Sequence, residues 1–201
     1  MAFLQQPFRW LDAISRYGGT TSGGPNFAFD LCVRKITPEQ RERLDLSKWD
    51  VAFNGAEPVR SETLDKFAET FAPCGLRREA FYPCYGMAET TLIVAGGYKN
   101  AQPVVRKFSA KELENDQALA CSNSDHSGRP LVGCGNALRD QTIEIVDPQT
   151  CTRAAEGEIG EIWTRGPSVA KGYWRRDDVT RDLFGAYLAD TGEGPYLRTG
   201  D

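Results

Sequence analysis

The chain has 201 residues, 40% of them hydrophobic and 26% charged, enough to bury a core and to form one or two globular units. Its net charge of −4 excludes a broad nucleic-acid or anionic-membrane face, because no basic surface is left to collect phosphates. The longest uncharged apolar run, Leu92 to Ala95, is far too short to cross a bilayer, so no membrane span is expected.

The opening Met1 to Trp10 carries Gln, Pro and Arg where a secretory leader needs an apolar core, so no leader is expected there. Six cysteines are scattered without a CxxC pair, which points to neither a zinc site nor a disulfide framework and suits a reducing, cytoplasmic setting. The single histidine, His126, sits in the polar run SNSDHSG, and no GxSxG surrounds a serine. It reads as a solvated loop histidine, not a catalytic base.

In chain order, PFRWLDAISRYGG places Phe8, Leu11, Ile14 and Tyr17 at helical spacing before a Gly-Gly stop, which predicts a helix with one buried face. A Gly/Ser/Thr loop follows. In ITPEQRERL, Thr37 is the expected N-cap, Pro38 the first helical residue and Gln40 the partner of a capping box. WDVAFN then reads as a strand, GAEP as a turn, RSETLDKFAETF as an amphipathic helix and EAFYPCY as a second strand. Strand, helix, strand implies a parallel crossover.

From Lys99 to about Ser127 the chain is polar and irregular, with one helical piece expected at SAKELENDQAL. Beyond it, TIEIVDPQT alternates apolar and polar residues and GEIGEIWTRG supplies a facing strand, so a small antiparallel sheet is expected. The chain shows no internal repeat.

Ligands of parallel α/β sheets gather at the carboxyl ends of strands, and both GAEP and the YGMAE of YPCYGMAETT fall where a strand has just ended. An adenine ring needs an aromatic face on one side and close backbone on the other, which Tyr85 with Gly55 and Ala56 can provide. Glu89, four residues past Tyr85, would then lie near phosphates, where a carboxylate is useful if it binds Mg²⁺. The final YLRTGD puts Asp201 after a glycine turn, placed to accept both hydroxyls of a ribose.

The ordered series YGMAE, GEIGEIWTRGPSVAKGYW and YLRTGD resembles the core motifs of the adenylate-forming (AMP-binding, acyl-activating) superfamily. PNFAFDLCVRKI, DLSKWDVAFNGAEPVRSETLDKFAETFAPCG, EAFYPCYGMAETTLIVAGG and LVGCG narrow it to the fatty acyl-AMP ligases, which they resemble over almost the whole chain. The resemblance implies that a fatty acid and ATP give acyl-AMP and pyrophosphate. The acyl group then passes to the phosphopantetheine thiol of an acyl carrier protein, in lipid, polyketide or nonribosomal peptide biosynthesis. The alternatives are a fatty acyl-CoA ligase and a non-catalytic remnant or interaction module.

Carried onto this sequence, the resemblance makes Gly55, Ala56, Glu57 and Pro58 an adenine-side loop and stacks Tyr85 on the base. Gly86, Met87, Ala88 and Thr90 complete the nucleotide-binding run, Glu89 is the catalytic magnesium ligand, and Asp201 takes the ribose. Where the superfamily often has a threonine ahead of that glutamate, this chain has Ala88, so the α-phosphate contact falls to backbone or to a neighbour such as Thr90. The superfamily's phosphate loop and the lysine of its C-terminal lid are not among these residues. GGTTSGGPN lacks the lysine of a phosphate loop and reads as a structural loop near the acyl pocket. The chain is therefore expected to be an internal piece of a larger enzyme, inactive by itself and completed by missing parts that include the lid.

The expected fold class is α/β. A partial parallel-sheet, adenine-binding subdomain spans 1–97, a polar insertion typical of acyl-AMP ligases spans 98–128, and a small antiparallel β-rich subdomain spans 129–201, all within one AMP-binding domain. Gly157, Gly160, Gly166 and Gly172 read as turns or bulges of the second motif, whose role is then architectural, with Arg165 and Lys171 solvated or salt-bridged.

Overall fold

The computed structural model describes residues 2–122, 125 and 127–201, so His126 lies outside the described residues. Helix α1 (Ala2–Gln5) leads into α2 (Phe8–Tyr17). Leu11 and Ile14 of α2 are buried, and Gly18 closes the helix by donating its N–H to the Ile14 and Ser15 carbonyls. After strand β1 (Thr21–Gly23) and helix α3 (Asn26–Lys35) comes the single turn α4 (Pro38–Arg41). Its capping box is reciprocal: the Gln40 N–H donates to Thr37 Oγ1 at 3.3 Å and the Thr37 N–H to Gln40 Oε1 at 3.1 Å.

Strand β2 (Val51–Asn54), helix α5 (Ser61–Phe71) and strand β3 (Phe81–Met87) form the crossover unit. β2 pairs parallel with β3 from Ala52↔Phe81 to Asn54↔Pro83. β1 pairs parallel with β2 from Thr21↔Val51 to Gly23↔Phe53. Its Thr-Ser-Gly sequence carries no apolar alternation, which is why it reads as loop; the ladder offered by β2 makes it a strand. With β4 (Leu92–Gly96) and, later, β7 (Asn136–Ala137), the strand order is β1-β2-β3-β4-β7.

The polar segment is more ordered than its composition predicts. Strand β5 (Val105–Ser109) pairs with β6 (Gly128–Val132). Between them the expected helix shrinks to α6 (Ala110–Leu113), capped by Ser109, whose Oγ accepts the Glu112 N–H at 3.3 Å. The chain leaves the helix because other backbone claims its hydrogen bonds. Ala118 donates its N–H to the Gly157 carbonyl at 2.7 Å, and the Asp116 carbonyl accepts from Ile159 at 2.9 Å.

Strands β8 (Thr142–Asp147), β9 (Thr152–Arg153), β10 (Glu161–Arg165) and β11 (Leu197–Arg198) form an antiparallel sheet in the order β11-β10-β8-β9, with helix α7 (Asp177–Phe184) between β10 and β11. The register of β8 against β10 runs from Thr142↔Arg165 to Val146↔Glu161.

The chain forms two compact units. One comprises Met1–Tyr85, Ala95–Arg106 and Leu131–Asn136, the other Gly86–Val94, Lys107–Pro130 and Ala137–Asp201. The first is built on an aromatic core in which Trp49, Phe29, Phe67 and Phe71 are fully buried, and the rings of Phe29 and Phe67 meet edge-on at 4.9 Å. The second closes over Val146, Trp163, Leu188 and Tyr196. Among the described residues no helix is long and apolar enough to cross a membrane.

Candidate functional site

In the first unit, β2 ends at Asn54 and the chain turns through Gly55, Ala56, Glu57 and Pro58. Ala56 is left-handed at φ 65°, a conformation that costs a non-glycine residue about 1–3 kcal/mol and persists only when its surroundings enforce it. Asn26 does the enforcing. Fully buried, it donates Nδ2 to the Pro58 carbonyl at 2.9 Å and accepts on Oδ1 from the Arg60 N–H at 3.0 Å and from Asn54 Nδ2 at 3.3 Å. Glu57 is turned back on the scaffold, its Oε1 accepting the Phe27 N–H at 3.4 Å.

A Cβ added to Gly55 would stand 2.8 Å from the Cys84 carbonyl oxygen, so the loop begins against the backbone just ahead of Tyr85. The unit thus brings together the loop and the aromatic residue expected to hold a flat ring. Sequence reasoning missed Asn26, the residue that pins this loop. The available signal was an asparagine wedged between Pro25 and an apolar helix, a place where a polar side chain has to find backbone partners.

In the second unit, Gly86 and Met87 complete β3, and Ala88–Thr90 form a 3₁₀ turn closed by Thr91 at φ 68°. Thr90 is 1% exposed and its hydroxyl donates to the Met87 carbonyl at 2.9 Å, so this side chain secures the turn from within. Glu89 is held twice. Its carbonyl accepts the Ala170 N–H at 2.7 Å, and its Oε1 accepts the Tyr173 hydroxyl at 2.5 Å. That bond to the carboxylate, followed by burial, raises the Tyr173 phenol above its ordinary range. The next residue but one, Thr91, donates its Oγ1 to the Ser168 carbonyl at 2.7 Å.

Asp201 lies on the turn after β11, a different element from Glu89. The Ile162 N–H donates to its carbonyl at 2.9 Å, and Thr199 Oγ1 donates to the Ile162 carbonyl at 2.7 Å. Beside it, Glu161 accepts the Gly200 N–H at 3.0 Å and an Arg198 bond at 2.8 Å. Burial pushes the Glu161 carboxyl up, but the bonds from Arg198 and the Gly200 N–H outweigh it and hold the group below its usual range. Asp201 also lines an open cavity of about 690 Å³ with Asp116, Glu158, Glu161 and Arg198. Arg165 is salt-bridged to Glu193 and lies 5.0 Å from the Tyr196 ring centroid.

Among the described residues no group of three or more His, Cys, Asp or Glu side chains gathers that could hold a metal ion. Glu89 offers a hard carboxylate oxygen on a surface turn. That fits the way Mg²⁺ binds beside nucleotides, through one or two carboxylates with phosphates and water supplying the rest.

The profile of the AMP-binding enzyme family matches residues 2–174. The chain is 45% identical over 203 aligned residues to the medium-chain-fatty-acid–[acyl-carrier-protein] ligase JamA of Moorena producens, covering 100% of this chain and 34% of JamA. It is 40% identical to the corresponding ligase TtuA of Teredinibacter turnerae, covering 100% of this chain and 32% of TtuA. A crystal structure of the fatty acyl-adenylate ligase from L. pneumophila, in complex with acyl adenylate and pyrophosphate, matches with a TM-score of 0.94 at 44% identity, over 100% of this chain and 35% of that one. The chain spans about a third of the length of the curated relatives it matches.

Proposed function

The chain belongs to the AMP-binding enzyme family, and on that premise we propose that the complete protein is a fatty acyl-AMP ligase of the cytoplasm. A carboxylate oxygen of the fatty acid attacks the α-phosphorus of ATP, the bond to the bridging oxygen breaks, and pyrophosphate leaves with that electron pair. In the second step the phosphopantetheine thiol of an acyl carrier protein attacks the acyl carbon, loses its proton and expels AMP. The observation that supports this reading is the match of the whole chain to an enzyme holding acyl adenylate and pyrophosphate. The carrier-protein acceptor follows the two relatives named as carrier-protein ligases.

In this reading Tyr85 offers its ring to adenine, and the loop Gly55 to Pro58 closes the edge of that slot with backbone held by Asn26. Gly86, Met87, Ala88 and Thr90 shape the turn that carries Glu89, and the α-phosphate is met by backbone N–H groups of the turn, since the Thr90 hydroxyl is spent on Met87. Asp201 accepts the ribose hydroxyls. Mg²⁺, held by Glu89, would supply positive charge against the phosphates as charge develops on the leaving group.

An apolar cavity of about 500 Å³ lined by Phe3, Trp10, Gly23, Gly24 and Phe27 is proposed as the acyl side, next to the GGTTSGGPN loop. The segment 98–128 is proposed as the insertion that restrains the mobile lid. Its tie to the loop 157–159 between β9 and β10 gives it a fixed base.

The test is exchange of labelled pyrophosphate into ATP by the complete protein. Exchange that requires a fatty acid, and that falls by orders of magnitude in Glu89→Gln, is the expected result. Exchange independent of fatty acid would overturn the reading.

A further inference from the structure

We propose that Tyr173 is a positioning residue for Glu89, and that Ser168 to Tyr173 form a clasp that fixes this carboxylate before nucleotide binds. The proposal deepens the reading of Glu89 as the magnesium ligand and rests on it. Three bonds run between this one segment and this one turn. The Tyr173 hydroxyl donates to Glu89 Oε1 at 2.5 Å, 84 positions away in sequence. Ala170 donates its N–H to the Glu89 carbonyl at 2.7 Å. The Ser168 carbonyl accepts from Thr91 Oγ1 at 2.7 Å. Main chain and side chain of the glutamate are therefore both held from outside its own turn.

Tyr173 is itself placed before it reaches Glu89. Its N–H donates to Thr180 Oγ1 at 2.9 Å, and its ring meets Phe184 edge-on at 5.4 Å. Both partners belong to α7, a helix with no buried residue and so with little to contribute to a core. Gly172 makes the approach possible: at φ 139° a Cβ there would stand 2.2 Å from Thr180 Cγ2, so a side chain at 172 would displace either Tyr173 or the helix. The sequence Gly-Tyr and the otherwise unexplained helix thus share one consequence, a phenol hydroxyl fixed beside the carboxylate.

The chemical effect is orientation. A glutamate on a surface turn samples many rotamers, and a ligand that has to select one of them binds more weakly. The Tyr173 bond engages Oε1 and would leave Oε2 as the oxygen with which Glu89 could hold a cation. Tyr173 touches neither nucleotide nor acyl group in this account; it acts through Glu89. On this proposal the motif GEIGEIWTRGPSVAKGYW, expected to be architectural, also carries one positioning residue, while its Arg165 is an ion-pair partner of Glu193.

The experiment compares the parent complete protein with Tyr173→Phe, Glu89→Gln and the double variant, and adds Thr180→Val as a milder way to release the tyrosine. Two quantities are read: the affinity for Mn²⁺ in the presence of a non-hydrolysable ATP analogue, by electron paramagnetic resonance, and the Mg²⁺ dependence of pyrophosphate exchange. Tyr173→Phe should weaken Mn²⁺ binding and raise the half-saturating Mg²⁺ by about tenfold, as expected for one hydrogen bond to a charged group. Thr180→Val should move both in the same direction by less, and adding Tyr173→Phe to Glu89→Gln should change neither further. Parent-like metal binding in Tyr173→Phe, with Glu89→Gln impaired, overturns the clasp alone. So does an equal loss in the Glu89→Gln background, which marks an effect on the fold. Unchanged metal dependence in Glu89→Gln itself overturns the magnesium reading and the clasp with it.

Discussion

In the first unit the rings of Phe29, Trp49, Phe67, Phe71 and Phe81 meet one another at centroid distances of 4.5 to 6.4 Å. In the second, the buried cluster is Val146, Trp163, Leu188 and Tyr196, ringed by charge. Arg153 reaches Glu144 at 3.0 Å, Glu193 at 2.7 Å and Asp190 at 3.7 Å, Arg198 reaches Glu161 at 2.8 Å, and Arg165 completes the set on Glu193. Apolar burial is non-directional and is neither screened by salt nor titrated by pH, and in the proposed reading it suits a frame that stays rigid around a flat ring. Charge-assisted hydrogen bonds are directional and conditional, and in the proposed reading they suit a frame that aims single carboxylates.

The largest effect expected from this difference is at Phe67. It is fully buried among four rings, and Phe67→Ala should destabilise the first unit by about 3–5 kcal/mol. Urea unfolding followed by hydrogen exchange would resolve the two units. A loss of protection as large in β8 and β10 as in α5 would break the comparison, because it would make the units one cooperative block.

A smaller effect is expected at Asn26. Removing its side chain leaves the Pro58 carbonyl and the Arg60 N–H without their partner, at a cost of about 1–3 kcal/mol. Asn26→Ala should also free the left-handed Ala56 turn. In the complete protein this appears as a raised half-saturating ATP concentration with turnover little changed, whereas Asn26→Asp should retain most of the acceptor function. An unchanged ATP dependence would show that the loop is held by something other than Asn26.

How legible these features are depends on how local their causes are. The α4 capping box is written in nearly consecutive residues, Thr37, Pro38 and Gln40, and is predicted from them. The β2-α5-β3 crossover follows from two apolar runs around an amphipathic helix, and the β8–β10 pairing from alternation on both strands. β1 escapes such a reading because Thr21, Ser22 and Gly23 become a strand only when β2 supplies the partner. α7 escapes it because Asp177 to Phe184 buries no residue; its anchors are a hydroxyl and one ring. Among the expected site residues, Tyr85 stands out as an aromatic near the end of β3 and Glu89 as the acid on the turn just after it. Asn26 and Tyr173 do not, since they act through bonds to residues 32, 34 and 84 positions away, which no local pattern encodes.

Acid should reach the second unit through Glu161. Its carboxyl lies below the usual range in the folded chain, so its contribution is present above the unfolded value of about 4.3 and is lost as pH falls through the lower folded value. Glu161→Gln should cost about 1 kcal/mol near neutral pH, discounted because Arg198 is 31% exposed. It should also flatten the acid dependence. Fluorescence of Trp163, with the other tryptophans replaced by phenylalanine, reports this region, and an acid midpoint equal in parent and variant would remove Glu161 from the account.

The smallest effect is predicted where a charge pair lies outside the ion-pair network of the second unit. Lys66 and Glu62 face each other across one turn of α5 at 2.5 Å, with side chains 57% and 76% exposed. Water and salt screen such a pair, and holding two long side chains in one geometry offsets what attraction remains. Lys66→Ala should therefore leave the urea midpoint of the first unit unchanged, because alanine is at least as good a helix former as the lysine it replaces. Raising the salt to about 1 M, where the Debye length is about 3 Å, should likewise spare the first unit while lowering the midpoint of the second. Its partly covered pairs share partners, with Glu193 serving both Arg153 and Arg165, so that screening one weakens the geometry of the next. Equal salt sensitivity in the two units would mean that the ion-pair network of the second contributes no more than the solvated pair on α5, and the contrast between them would reduce to core size alone.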